Sequence, residues 1–415
     1  MFDDINIGLD QVTPADWQSS DRIIKVLGVG GGGCNAVSYM YRSGLKGCSF
    51  VVCNTDSQAL ESSPVPVKIQ MGAGLGAGTN PIKGRNAAMA SQSEIEQKLL
   101  DSGTRMLFIT AGMGGGTGTG AAPIIAKMAK EKGILTVAVV TIPFKNEGDR
   151  AMSRAIDGIQ ELEKNVDSLL IINNEKLYLN FGSKLTHEAF PKSDEVLATA
   201  VRGIIEIIQK RGYINVDFED VTTMMKDSGL ALMGYGEGHG PNRIEDAVRQ
   251  AFESPLLNDF DLKTAKNVLV NITGGRNEKG LTMDDMLEIN RLIQEYTGGA
   301  NRFKSGLIWD DNPEAGDSIH ITSIVTGLRF IDIIGSRRDM GNYIMIPRSF
   351  TYDKNESNAS KCITDDGDFM GKRLGYSSSE NLRTFRFDPD DKPALLVSAG
   401  DQLSDLENIP AIRRA

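Results

Sequence analysis

From Ile23 onward, short runs of apolar β-formers alternate with stretches of helical period. IIKVLGV, CSFVVCN, RMLFIT, ILTVAVVTI and SLLIIN carry almost no polar alternation, so each reads as a strand covered on both faces. Helices are predicted over 35–43, 121–132 and 151–165. Strands alternating with helices predict a parallel, doubly wound α/β sheet, whose ligands lie at the carboxyl ends of the strands.

Beyond this array, 193–212 reads as one long helix. Ser193 suits its N-cap, Asp194 and Glu195 its first turn, and Gly212 its C-cap. Val196, Leu197, Ala200, Val201, Ile204, Ile205 and Ile208 give it a wide apolar face. At 1.5 Å per residue it spans on the order of 30 Å, a domain's width, and its expected place is as a strut between two domains. The second domain is expected over about 222–327, with KNVLVNIT, RFKSGLIWD and SIHITSIVT as strands around a helix over 283–296. Residues 1–20 read as a loose arm. After Phe330 the chain turns to Ser, Asn, Asp and Gly with little periodicity, which predicts disorder. The closing NIPAIRRA, apolar then basic, reads as a recognition peptide on a tether.

Composition acts mainly by exclusion. A net charge of −10 argues against nucleic acid or an anionic membrane as the main partner. The four cysteines lack metal-ligand spacing and there are only three histidines, so a reduced cytoplasm is the simplest setting. MFDDINIGLD lacks the apolar core of a signal peptide, and no apolar run approaches the ~20 residues of a membrane span.

Candidate chemistry sits in the glycines. Gly114, Gly115, Gly116, Thr117, Gly118, Thr119 and Gly120 fall between a predicted strand and a predicted helix. That placement offers backbone amides and a helix N-terminus to a phosphate, with the threonine hydroxyls as further donors. No lysine follows as in a Walker loop. Gly28, Gly30 and Gly33 satisfy G-x-G-x-x-G after the first strand, and Asp56 stands near the place of a dinucleotide enzyme's ribose acid. A second phosphate loop suits a triphosphate better. The glycine-rich 72–78 reads as a mobile loop that senses a terminal phosphate, or as a plain connection. Asn215, Asp217 and Asp220 follow the long helix. They orient a water or hold a cation, or one acid simply caps a helix beginning near Val221, which the pattern alone favours.

GVGGGGCNAV, NTDSQAL, GLGAGTNP, TAGMGGGTGTGAAP, PFKNEG, INVDFEDV and GLALMGYGEG occur in the order of the tubulin/FtsZ GTPase family, on its bacterial cell-division branch, which the chain resembles over about 21–328. The resemblance implies a GTP-binding α/β domain over 21–192, a central helix over 193–212 and a smaller α+β domain over 213–330. A disordered linker over 331–404 and a partner-binding peptide over 405–415 would follow. Gly31, Gly32, Gly33 and Asn35 match the first nucleotide loop, with Cys34 where the family usually has Gly. Gly114 to Gly120 match the phosphate-gripping loop, Glu147 a ribose contact, and Asn174 is grouped with the nucleotide contacts. Phe190 matches an aromatic against guanine, and Asp194 with Glu195 match an Asn–Asp pair that reads the base. The family often has Arg where this chain has Ala151; Arg150 or Arg154 could supply that charge. The resemblance further implies head-to-tail self-assembly into filaments of a division ring at mid-cell. Asn215, Asp217 and Asp220 would then enter the next subunit's pocket and act on GTP with Mg²⁺. Membrane-tethering and regulatory division proteins would bind the C-terminal peptide, with no direct membrane or nucleic-acid contact. Two other functions remain: a structural filament that uses GTP as an assembly ligand with weak hydrolysis, and a Rossmann oxidoreductase that binds NAD.

Overall fold

The computed structural model describes residues 23–101, 103–174, 186–209, 212–253, 262–310 and 316–328, with Lys145, Asp149 and 186–192 through their backbone alone. Of the segment 330–415, a separate unit, it describes only the antiparallel pair Arg386–Phe387 and Pro393–Ala394. The expected arm at 1–20, the rest of the linker and the peptide at 405–415 lie outside the described residues.

Strands β1 (Ile24–Val29), β2 (Ser49–Asn54), β3 (Val67–Gln70), β4 (Met106–Gly112), β5 (Leu135–Ile142) and β6 (Ser168–Asn173) pair in parallel, in the order β3-β2-β1-β4-β5-β6. The order reverses between β1 and β4, which lie side by side. Such a switch point is where doubly wound sheets bind ligands. β7 (Gly229–Gly238) continues the sheet parallel to β6. β10 (Ile319–Leu328) then runs antiparallel between β7 and β8 (Asn267–Gly275), and β9 (Arg302–Asp310) closes the edge parallel to β8.

Side-chain parity divides the parallel strands between two faces. Ile24, Val26, Met106, Phe108, Val137 and Val139 join one core with α1 (Gly30–Arg42) and α7 (Thr186–Gln209). The opposite parity, Leu27, Leu107, Ile109 and Ala138, is equally buried, and α5 (Thr117–Glu131) packs on β4 and β5. Both faces are covered, as the continuous apolar runs require. On α7 the expected stripe is in place: Leu197, Ala200, Val201, Ile204 and Ile205 are buried.

Three helices begin earlier than expected. α1 starts at Gly30 and α5 at Thr117, so the glycine-rich segments themselves enter the helices. Glycine is unfavourable there by propensity, but it permits contact that no other residue allows. A Cβ on Gly33 would stand 2.2 Å from the Thr110 carbonyl oxygen. α7 begins at Thr186, so Ser193 lies inside it and is not an N-cap; its hydroxyl donates to Asn174 Oδ1 at 3.1 Å. α7 is described as far as Gln209, and the turn at 210–211 that would make Gly212 its C-cap lies outside the described residues; a Cβ on Gly212 would meet the Leu307 carbonyl of β9 at 2.2 Å.

Sequence patterning also passes over α2 (Ser57–Ser62), α3 (Pro81–Ala90), α4 (Gln92–Leu99), β7 and α9 (Arg243–Phe252). The remaining helices, α6 (Asp149–Glu163), α8 (Phe218–Met225) and α10 (Met283–Thr297), fall close to their expected places. The seam between β6 and β7 is organised by Asp167, 4% exposed. Its carboxylate accepts from the Thr136 N–H at 2.8 Å and meets Lys130 Nζ at 3.6 Å, and its carbonyl accepts from the Ser228 and Gly229 N–H groups. Lys130 also pairs with Asp227 at 2.8 Å.

Candidate active site

Both β1 and β4 deliver a helix at their carboxyl ends, where Val29 is level with Ala111. Neither α1 nor α5 has a side-chain cap, a lack they share with α4, α6 and α9, while Asp56, Asn80, Asp217 and Thr282 cap α2, α3, α8 and α10. Two adjacent helix N-termini therefore present unspent amides and the positive ends of their dipoles to one point. The surrounding loops converge there. Thr55 Oγ1 lies 2.7 Å from Thr117 Oγ1, and the Gly116 N–H donates to the Gly78 carbonyl at 3.0 Å.

The glycines in this cradle serve different ends. Gly114 has φ +100°, a conformation closed to L side chains. Gly31 and Gly115 have ordinary φ, and a Cβ on either would meet nothing within 4 Å. Neither packing nor backbone strain requires glycine at these two positions. Both leave open space over the loops, the room that a phosphate needs to approach the backbone. The Thr119 hydroxyl is buried and accepts from the Gly114 N–H at 2.9 Å, so it closes the loop. Cys34 is buried as well. Its Sγ donates to the Cys53 carbonyl at 3.5 Å, and burial pushes its thiol up to about 12, so it remains neutral inside the core.

The loop at 72–78 is tied down. Gly76 N–H donates to the Thr55 carbonyl and Ser57 N–H to that of Gly74. Asp56 Oδ1 accepts from the Gln58 and Ala59 N–H groups at 3.0 and 3.3 Å, so this acid caps α2 in place of the ribose role that the dinucleotide reading gives it. Arg154 Nε donates to the Gly114 carbonyl at 2.8 Å, which anchors its guanidinium on the loop.

Around the cradle, Glu147 Oε1 accepts from the Phe144 N–H at 2.9 Å. Asn174, at the end of β6, is bonded to Ser193 on α7, next to half-buried Asp194 and Glu195. Burial pushes the Asp194 carboxyl up to about 6. The backbone of Phe190 lies in α7, but its side chain is outside the described residues.

Asn215, Asp217 and Asp220 stand elsewhere. Ile214 and Leu307 exchange backbone hydrogen bonds, which lays this segment on β9, and Asn215 Oδ1 accepts from the Gly212 N–H. Asp217 and Asp220 form a reciprocal capping box at the start of α8. Arg105, just before β4, pairs with Glu219 at 2.7 Å and covers the Phe218 ring at 4.7 Å. The acids are thereby pinned near the amino end of β4, while the phosphate cradle lies at its carboxyl end. Seven strand residues, at ~3.3 Å each, put roughly 20 Å between them. Thr55 and Arg105 are contributions that sequence patterning does not single out; only the NTD at the end of β2 marks the first.

An uncapped pair of helix N-termini at a switch point, without a Walker lysine, defines a nucleotide-binding α/β protein of the non-Walker kind. Residues 23–181 match the GTPase domain of the Tubulin/FtsZ family, and 229–329 the C-terminal domain of the FtsZ family. The cell division protein FtsZ of Porphyromonas gingivalis is 46% identical over 336 residues, 79% of this chain and 72% of its own length. That of Pseudomonas putida is 48% identical over 311 residues, 74% of this chain and 76% of its own. A solved FtsZ dimer from M. jannaschii gives a TM-score of 0.65 at 39% identity, covering 74% of this chain and 88% of that one. CetZ2 of Haloferax volcanii, 20% identical with a TM-score of 0.63 over 74% and 94% of the two chains, shares the fold. The chain belongs to the FtsZ family of tubulin-like GTPases and is a polymerising GTPase of cell division.

Proposed function

We propose that subunits stack head to tail and that GTP is hydrolysed only at the junction between two of them. The observation that carries this reading is the separation just described. Acids fixed near the amino end of β4 have no route to the cradle at its carboxyl end within one subunit. A neighbour stacked along the strand direction brings the two together, and such a heterologous contact propagates as an open filament.

In that junction, the opening amides of α1 at Gly31 and Gly32 face the nucleotide, with Gly33, Cys34 and Asn35 in the turn behind them, and Gly114 to Gly120 grip its phosphates. Glu147 and Asn174 lie at the ribose side, and Phe190, Asp194 and Glu195 hold the guanine. The guanidinium of Arg154 supplies the loop's cation in the absence of Arg at Ala151. From the next subunit, Asn215, Asp217 and Asp220 position the water that attacks the γ-phosphorus as the bond to the bridging oxygen breaks and GDP leaves. Among the described residues no group of three or more His, Cys, Asp or Glu converges to hold a metal ion. A magnesium ion would offset charge on the phosphates, with phosphate oxygens and water among its ligands. The halves 21–192 and 213–330, joined through one continuous sheet as well as the central helix, divide the work, one holding nucleotide and the other presenting acids. The peptide at 405–415 recruits tethering and regulatory partners at a cytoplasmic mid-cell ring. Direct membrane binding is disfavoured by the chain's net charge of −10.

A concentration series tests this reading. Phosphate release per subunit should rise from near zero at the concentration where filaments first sediment. Release per subunit that is constant on dilution would contradict it.

A further inference from the structure

Lys304, on β9, places its Nζ 3.0 Å from Oδ2 of Asp220. Its strand is also the template for the acid-bearing segment. Leu307 is bonded to Ile214, and a Cβ at Gly306 would stand 2.9 Å from Val216 Cγ2, so glycine lets the segment lie this close. Asp220 Oδ2 thus accepts from the Asp217 N–H at 3.1 Å and faces the Lys304 ammonium as an ion pair. One hydrogen bond and one ion pair on the same oxygen orient the carboxylate, and Oδ1 accepts no hydrogen bond from the described residues. Both side chains stay partly exposed, Lys304 at 40% and Asp220 at 29%, so a second molecule can reach the pair.

We propose that Lys304 is a positioning residue for GTP hydrolysis, acting through Asp220. Its ammonium holds Oδ2 so that Oδ1 accepts from the attacking water. Its charge also offsets the repulsion between the two acids and the neighbour's triphosphate. That repulsion grows as a closing junction loses water, because Coulomb interactions strengthen where the effective dielectric falls. The proposal rests on the junction reading above. An exposed ion pair adds little to folding stability, so an effect on turnover can be separated from an effect on the fold.

The test uses the full chain with Lys304→Met, which keeps length without charge, and Lys304→Arg, which keeps charge. Phosphate release per sedimented subunit should fall about tenfold in Lys304→Met, less than the roughly 10²–10³ lost with a group that contacts the reacting atoms directly, and recover largely in Lys304→Arg. GTP half-saturation should not change, since the lysine serves the neighbour's pocket. Each variant is also doped into wild-type filaments beside Asp220→Ala, which reads out Lys304→Met even if it assembles poorly alone. If Asp220→Ala and Lys304→Met both lower turnover in proportion to their share, the proposal stands. Turnover lowered by Asp220→Ala alone overturns the Lys304 role and spares the junction. Filaments fully active with Asp220→Ala overturn the junction reading itself. Lys304→Arg as inactive as Lys304→Met would also overturn the role assigned to charge.

Discussion

Asp217 and Asp220 each spend one carboxylate oxygen on the other's backbone N–H, at 2.7 and 3.1 Å. Capping and catalysis therefore do not compete for the same atom, because each acid keeps a second oxygen. Asp217→Asn should preserve the cap, since Asn is as good an N-cap as Asp, while Asp217→Ala should cost about 1 kcal/mol of stability. Both should lower turnover by about 10² or more, as expected when a water-positioning group is lost. Denaturant midpoints and phosphate release separate the two effects; full turnover in Asp217→Asn would leave capping as the only role.

Gly115 and Gly33 should part company on substitution by alanine. A Cβ at Gly115 meets nothing within 4 Å, so Gly115→Ala should fold normally and weaken GTP binding. Gly33→Ala drives a Cβ to 2.2 Å from the Thr110 carbonyl, and overpacking of this kind costs about 1–3 kcal/mol. Thermal melting and nucleotide titration read both outcomes.

If Asp194 reads the guanine as proposed, nucleotide binding should depend on pH. The Asp194 carboxyl is raised to about 6 by burial, so between its ordinary value and 6 the folded chain binds a proton that the unfolded chain releases. Its contribution to stability therefore rises as pH falls through 6. Guanine affinity should move the other way, because a carboxylate that accepts from the base N1–H and N2–H is lost on protonation. Titrations at pH 7.5 and 5.5 should show weaker GTP binding at the lower pH, and Asp194→Asn should flatten the difference.

Asp167 should matter to the fold alone. Asp167→Ala strands the buried Thr136 N–H and removes the farther of Lys130's two carboxylate partners, a loss of about 2–3 kcal/mol by denaturant unfolding. Asp167→Asn keeps an acceptor for Thr136 and should cost less.

Much of this was legible in sequence because buried parallel strands are written as unbroken apolar runs; β6 and β9 coincide with SLLIIN and RFKSGLIWD. The cradle was legible for a similar reason, since clustered glycines between strand and helix have few uses. Helix starts were not, because glycines that signal a loop locally are held in α1 and α5 by contacts with residues far along the chain, such as Thr110 with Gly33. β7 was hidden by Gly229, Gly234, Gly236 and Gly238, which break the strand pattern; at the last three a Cβ would strike the backbone of α9. The Asp220–Lys304 pair spans 84 positions, which no local pattern can reveal.

The shared site is tested most directly by mixing two variants, each defective in one half of the junction, at a GTP concentration too low to fill the weakened cradle. Asp220→Ala keeps an intact cradle, and Gly115→Ala keeps intact acids. In an equal mixture, about one junction in four joins a sound cradle to sound acids if subunits add at random, so about a quarter of wild-type turnover should return. Both variants in the sedimented filaments with no return of phosphate release would contradict catalysis between subunits.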